Sequence, residues 1–240
     1  MPPAVADNDP MNRSRNAHAD ILLALENARR GGSRPMPPRL LAVSKTRSPR
    51  EIEQIAANGQ RAFGENYVQE ALPKIEALRG RGLEWHLIGH LQSNKADLAA
   101  RHFDWVQSLD RTKLVTALAR HRPVGAPPLN VLVQVNIDDE TSKHGCSPGD
   151  VPTLAAAIEA ETSLRLRGLM AIPAPHAQMS RRRDAFRAMR ALFEALQASY
   201  PGVDTLSMGM SEDFVPAIEE GATMVRIGSA LFGARAKKEQ

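Results

Sequence analysis

Along the chain, short apolar runs alternate with longer segments whose apolar residues recur at helical spacing, the pattern of strands exchanging with amphipathic helices. Strands are predicted at residues 39–43, 61–64, 84–88 and 105–108, and again at 129–137, 166–171, 205–207 and 223–227. Helices are predicted between them at 49–57, 66–78, 94–101, 112–120, 150–160, 181–199 and 212–220. A further helix over 11–30, with Ile21, Leu22 and Leu25 on one face, precedes the first strand and stops at Gly31-Gly32. Ser48 before Pro49, then Ser93, Asp110 and Ser211, are expected to open helices, because a short polar side chain there satisfies free backbone amides. The tyrosines, Tyr67 and Tyr200, are both expected on helices.

Eight strands separated by helices with right-handed crossovers close a (β/α)8 barrel. An open doubly wound sheet alternates in the same way, and the strand count favours the barrel. At 240 residues the chain is long enough for one such α/β barrel and short for two ordinary cores. The expected organisation is a disordered extension over 1–10, which holds Pro2, Pro3 and Pro10, one barrel domain over 11–235 and a tail over 236–240.

Composition narrows the function classes. Hydrophobic residues make up 42% and charged residues 24%, as in a soluble globular protein. No apolar run approaches the ~18 residues of a membrane span. The first 35 residues are interrupted by Asp7, Asp9, Arg13, Arg15, Asp20 and Glu26, so no secretory signal is read and the expected location is cytoplasmic, without a membrane partner. Cys146 is the only cysteine, which excludes an internal disulfide and a cysteine-cluster metal site. A net charge of +4 raises the question of nucleic acid. However, the basic residues are dispersed, and the one dense run, Arg181-Arg182-Arg183, is accounted for by a solvated helix start. With 4% aromatics there is also little surface for base stacking. No nucleic-acid partner is expected.

In a barrel, chemistry sits on the loops that follow the C-terminal ends of the strands. Those ends carry Ser44-Lys45, Glu65-Asn66, Gly89-His90, Asp110, Asn136, Met170, Met208-Gly209 and Arg226-Ile227-Gly228. Lys45 follows Leu40-Leu41-Ala42-Val43 and would stand at the mouth of the first strand. Partial desolvation there disfavours the ammonium and makes the amine nucleophilic toward an aldehyde; a solvated surface lysine is the alternative. The glycine loops Ser207-Met208-Gly209-Met210-Ser211 and Ile227-Gly228-Ser229 follow strands seven and eight, where barrels frequently hold phosphate. Arg226 falls on the opposite face from Val225 and Ile227, and a buried arginine needs a partner: a ligand's ring nitrogen or carboxylate, or an internal Asp or Glu. His90 would line the mouth beside Asn66, either for acid–base work or as a structural histidine. His86 and His90 span a strand end and are not read as a metal pair, and no metal site is expected. Lys143, in Lys143-His144-Gly145, is read as a loop lysine near the mouth.

These residues lie in longer motifs: Ala42-Val43-Ser44-Lys45, Phe63-Gly64-Glu65-Asn66-Tyr67-Val68-Gln69-Glu70, Trp85-His86-Leu87-Ile88-Gly89-His90-Leu91-Gln92-Ser93-Asn94-Lys95, Gln134-Val135-Asn136, Gly168-Leu169-Met170-Ala171-Ile172-Pro173 and Ser207-Met208-Gly209-Met210-Ser211-Glu212-Asp213. In that order, with Lys143-His144-Gly145 and Val225-Arg226-Ile227-Gly228, they resemble the pyridoxal phosphate homeostasis family, a single-domain relative of the alanine racemase barrel, over roughly residues 12 to 235. The resemblance implies pyridoxal 5′-phosphate as cofactor, held as a Schiff base on Lys45. It further implies that Ser211, Gly228 and Ser229 hold the phosphate, that Arg226 faces the pyridine nitrogen and that Asn66 lies beside the cofactor. The N-terminal extension and the Arg181–Arg183 run fall outside the pattern.

An arginine does not readily give up or accept a proton, so Arg226 would leave the pyridine nitrogen unprotonated and the cofactor a poor electron sink. The related racemases also use a tyrosine from a C-terminal β-domain, and this chain ends at Gln240 soon after its eighth strand. The expected function is therefore a cofactor-binding protein of intracellular vitamin B6 balance, without substantial catalysis and with no catalytic residue assigned. Transient contact with apoenzymes is its expected protein partnership, and a monomer its expected state. A racemase using Lys45 as its only base, a class I aldolase needing no cofactor and a nucleic-acid module are the competing readings.

Overall fold

The computed structural model describes residues 10–30, 37–138, 140, 144–174 and 178–233, with side chains from Ser14 onward. The expected extension and tail therefore lie outside the described residues, apart from Pro10, which opens the first helix. Helix α1 (Pro10–Arg30) is followed by β1 (Arg39–Val43), α2 (Pro49–Ala57), β2 (Ala62–Glu65), α3 (Val68–Ala77), β3 (Glu84–Leu87), α4 (Ala96–His102), β4 (Trp105–Leu109) and α5 (Thr112–His121). The second half runs β5 (Leu129–Gln134), α6 (Val151–Glu159), β6 (Leu164–Met170), α7 (Met179–Ser199), β7 (Thr205–Met210), α8 (Phe214–Glu219), β8 (Met224–Ile227) and α9 (Ser229–Phe232). The eight strands form a closed barrel in sequence order, every neighbour parallel, with Leu40 paired to Val225 and Leu41 to Arg226 where β8 returns to β1. That closure excludes the open doubly wound sheet.

The period of two along each strand sorts side chains between two environments. On the outside, Leu40, Ala42, Phe63, Val131, Val133, Val225 and Ile227 join one large core with buried helix residues such as Ile52, Ile55, Leu114, Leu118, Ile158 and Phe193. Inside the barrel, Leu41, Ala62, Ile88 and Met224 form a small cluster, and Trp105, Leu132 and Met170 another. The rest of the interior is polar. His86, Gln107, Ser207 and Arg226 are buried there and hydrogen-bonded in a line that climbs toward the C-terminal mouth. Helix α1 packs against α2, α8 and α9 through His18, Ile21, Leu25 and Ala28, the spacing of one helical face.

Several boundaries differ from the sequence pattern for local reasons. β7 continues to Met210 because Gly209 takes φ of 90° and its register against β8 shifts there. β5 stops at Gln134, and Val135 forms only an isolated bridge with Cys146. Of the four expected caps, only Ser48 acts as one. Ser93 opens a 3-10 turn, Asp110 is spent on Arg111, and α8 is entered from Asp213, whose carboxylate accepts the Met210 amide. Tyr67 and Tyr200 sit at helix caps, not within helices. The Arg181–Arg183 run is more than a solvated start: Arg183 pairs with Glu219 and Glu220, tying α7 to the end of α8.

Ser48 and Glu51 form a reciprocal capping box, with Pro49 in the first turn, directly after the Lys45 turn. Ser48→Ala is expected to cost about 1 kcal/mol in urea melts, the ordinary worth of an N-cap. A change below about 0.3 kcal/mol would show that the box contributes nothing here.

Candidate functional site

A cavity of about 730 Å³ opens at the C-terminal end of the barrel. It lies within the usual size range of small-molecule sites. All six residues singled out from the sequence, Lys45, Asn66, Ser211, Arg226, Gly228 and Ser229, line it, and so does His90. Lys143 lies outside the described residues.

Lys45 belongs to the turn leaving β1, is half-buried and makes no hydrogen bond among the described residues. The backbone on either side of it is fastened from beneath. The Ser44 amide donates to Gly64 O, and the Ser44 hydroxyl donates to Glu65 Oε1 at 2.5 Å. Lys74 Nζ, reaching in from α3, donates to Ser44 O, to both Glu65 oxygens and to Glu70 Oε1 at 2.7–2.9 Å. Glu70 also accepts the Thr46 amide, and Thr46 adopts φ of 65°. That left-handed conformation is uncommon for a side chain branched at Cβ and costs on the order of 1 kcal/mol. Ionic and hydrogen bonds thus hold a strained turn immediately after Lys45. Burial raises the Glu65 carboxyl above its ordinary range; the Ser44 hydrogen bond and the Lys74 charge only partly offset this. Glu65, Glu70 and Lys74 were missed from the sequence as supports of the site. The Glu70–Lys74 spacing of four on one helix was the available signal.

Arg226 forms part of the cavity floor. Its Nη1 donates to Ser207 O and to the Ser207 hydroxyl at 2.9 and 2.8 Å, and Nη2 donates to Ala171 O at 2.8 Å. The internal carboxylate that could have paired with it directly is replaced by these neutral acceptors. Burial pulls the guanidinium down to about 10, against the attraction of Asp213, so it remains charged at neutral pH. Below it, Ser207 Oγ donates to Gln107 Oε1, and Gln107 Nε2 meets His86 Nδ1 at 2.9 Å. His86 Nε2 meets Glu84 Oε1 at 2.6 Å. Burial lowers the His86 pKa, favouring the neutral ring that accepts at Nδ1 and donates at Nε2.

Glycines set how closely the backbones approach at the rim. A Cβ on Gly228 would press on Val43 at 3.3 Å, and one on Gly209 would lie 2.6 Å from the Ala217 Cβ. The first amides of α9 have no intrahelical acceptor, which adds donors beside the Ser211 and Ser229 hydroxyls. A Cβ on Gly89 would fall 2.1 Å from Asn66 O. Gly89→Ala therefore must displace the Asn66 loop; about 1–3 kcal/mol of lost stability is expected in thermal melts, the usual cost of overpacking. An unchanged melting temperature would contradict this close approach.

The remaining lining includes Arg47, Gln134, His144, Ile172 and Arg182, none of them assigned to the site from the sequence. Arg47 is held by Glu51 and lies over the Phe232 ring. Burial and the neighbouring His144 push the His90 imidazole down. Cys146 offers no nucleophile, because burial and Asp150 push its thiol up to about 12. No tyrosine lines the cavity among the described residues, and no described helix is long and apolar enough to cross a membrane.

Residues 25–236 match the family model of the alanine racemase N-terminal domain. The chain is 52% identical over 211 residues to the pyridoxal phosphate homeostasis protein of Escherichia coli, covering 87% of this chain and 90% of that relative. Among solved structures it is similar to PipY of Synechococcus elongatus. The form without pyridoxal phosphate gives a TM-score of 0.82 at 35% identity, covering 91% of this chain and 99% of PipY. The form with pyridoxal phosphate bound gives 0.76 at 33% identity, covering 92% and 100%. The resemblance read from the ordered motifs is borne out by these matches.

Proposed function

The chain belongs to the family of pyridoxal phosphate homeostasis proteins, and we propose that it binds pyridoxal 5′-phosphate through Lys45 and serves intracellular vitamin B6 balance without substantial catalysis. The observation that carries this reading is the convergence of an amine, a hydroxyl-and-glycine cradle and a buried guanidinium on one cavity. Those groups fit the cofactor's aldehyde, phosphate and ring nitrogen respectively.

Lys45 would supply the amine that bonds covalently to the aldehyde carbon, and the turn fastened by Glu65, Glu70 and Lys74 would keep that amine at the cavity wall. Ser211, Ser229 and the α9 amides would donate to the phosphate, and Gly228 keeps that approach free of a side chain. Asn66 would contact the cofactor from the β2 loop. When bound, the cofactor supplies an electron sink whose strength depends on protonation of its ring nitrogen. Arg226 would present an N–H to that nitrogen and, charged at neutral pH, keep its own proton. That arrangement weakens the sink and supports carriage over turnover.

The test is a titration of purified protein with pyridoxal phosphate, followed by exposure to amino acids in deuterated water and to an apoenzyme. Uptake of one equivalent with a yellow chromophore is expected, with no deuterium wash-in at Cα and with transfer to the apoenzyme. Failure to take up one equivalent would sink the binding reading. Rapid wash-in would favour the racemase.

A further inference from the structure

We propose that His90, Asp110 and His144 form a binding site for a divalent transition-metal ion of the zinc type at the rim of the cavity. They come from the segments that follow three consecutive strands: His90 after β3, Asp110 after β4 and His144 after β5. One ligating atom of each lies within 4.8 Å of those of the other two. The imidazoles stack at 3.7 Å between centroids with 15° between planes, and His90 Nδ1 stands 3.9 Å from Asp110 Oδ2.

The carboxylate is braced in a way that suits ligation. Arg111 Nη1 donates to Asp110 Oδ1 at 2.5 Å, while Arg111 Nη2 donates to Leu91 O at 2.9 Å. Oδ1 is thereby spent on a partner anchored in the loop that carries His90, leaving Oδ2 as the oxygen near the imidazole. Hydrogen bonds of this kind orient carboxylates at metal centres. At His144 the backbone carbonyl accepts from Gln134 Nε2 at 3.1 Å.

Two imidazoles and a carboxylate are a donor set that suits zinc and its neighbours, and three protein ligands leave a coordination position open. Around a tetrahedral ion, bonds of about 2.0–2.2 Å bring ligand atoms to about 3.3 Å apart. The present spacing must therefore close by roughly 1 Å or a little more, with the stacked rings turning their lone pairs toward a common point. Both histidines are exposed residues outside the helices and strands, so rotation about their side-chain bonds can supply that movement. Both also line the cavity, so an ion there would sit beside the small-molecule site and not at a remote surface. His86 is not a further donor to this set, being buried inside the barrel against Glu84 and Gln107. The proposal does not depend on the cofactor reading.

The experiment is calorimetric titration of untagged, full-length, cofactor-free protein with Zn²⁺, with Co²⁺ absorption as a second readout. Wild type, His90→Ala, His144→Ala and Asp110→Asn are compared, each checked for a wild-type circular dichroism spectrum. One equivalent is expected to bind, with a Co²⁺ band of a low-coordinate nitrogen–oxygen site, and each histidine variant should bind at least ~10-fold more weakly, since even indirect supports of such sites cost that much. Should a variant misfold, His90→Gln and His144→Gln serve instead. Binding unchanged in either histidine variant, or no stoichiometric binding to wild type, overturns the proposal and leaves a stacked histidine pair with a neighbouring carboxylate.

Discussion

Lys74→Met is expected to lower the free energy of unfolding at pH 7 by about 3–5 kcal/mol, the cost of removing one partner from a buried ion pair. The substitution keeps most of the side-chain volume, so little of that loss comes from a cavity. What it removes is the cation that Glu65, a fully buried carboxylate, shares with Glu70 and Ser44 O. The pH dependence has a definite sign. Burial already holds the Glu65 carboxyl above its ordinary range, so its ionised form is the one the fold disfavours. Without Lys74 that penalty grows, and it is relieved when the carboxyl protonates in the folded protein. The variant's deficit relative to wild type should therefore be larger at pH 7 than at pH 5. Adding Glu65→Gln should restore most of the loss. A deficit below about 1 kcal/mol, or one that grows on acidification, contradicts this account of the turn.

Lys45→Ala should leave stability within about 0.5 kcal/mol of wild type, since the side chain is half-buried and makes no hydrogen bond among the described residues. Its effect on the cofactor should be much greater. The yellow chromophore is expected to be absent, and affinity for pyridoxal phosphate should fall by about 100-fold or more, equivalent to roughly 3 kcal/mol. Weak binding should persist, because the Ser211, Ser229 and Gly228 cradle and Arg226 remain in place. Equilibrium dialysis measures both the loss and the residue. Unchanged affinity with an unchanged spectrum would move the covalent bond to another amine. A direct aldolase predicts that wild type itself has no chromophore.

The strands were legible because the barrel buries them on both faces, giving compact apolar runs such as Leu40–Val43 that stop where the mouth begins. The six cavity residues were legible for the same reason: barrels place their chemistry at strand ends, and the ordered motifs marked which ends mattered. Contacts between elements distant in sequence were not. The Glu70–Lys74 spacing marks a pair on one helix but not its reach to Ser44, and nothing near His90 marks His144 as its neighbour. Ser93, Asp110 and Ser211 look like caps, but a 3-10 turn, an adjacent arginine and a tight turn into α8 redirect them. The Arg181–Arg183 run looked solvated because Glu219 and Glu220 lie a whole strand and loop away along the chain.

The measurement closest to the central proposal is hydride trapping: protein loaded with pyridoxal phosphate, reduced with borohydride, digested and mapped by mass spectrometry. The expected result is a single pyridoxyl label on the peptide carrying Lys45. A label on Lys74, Lys143 or any other amine, or none at all, would contradict it.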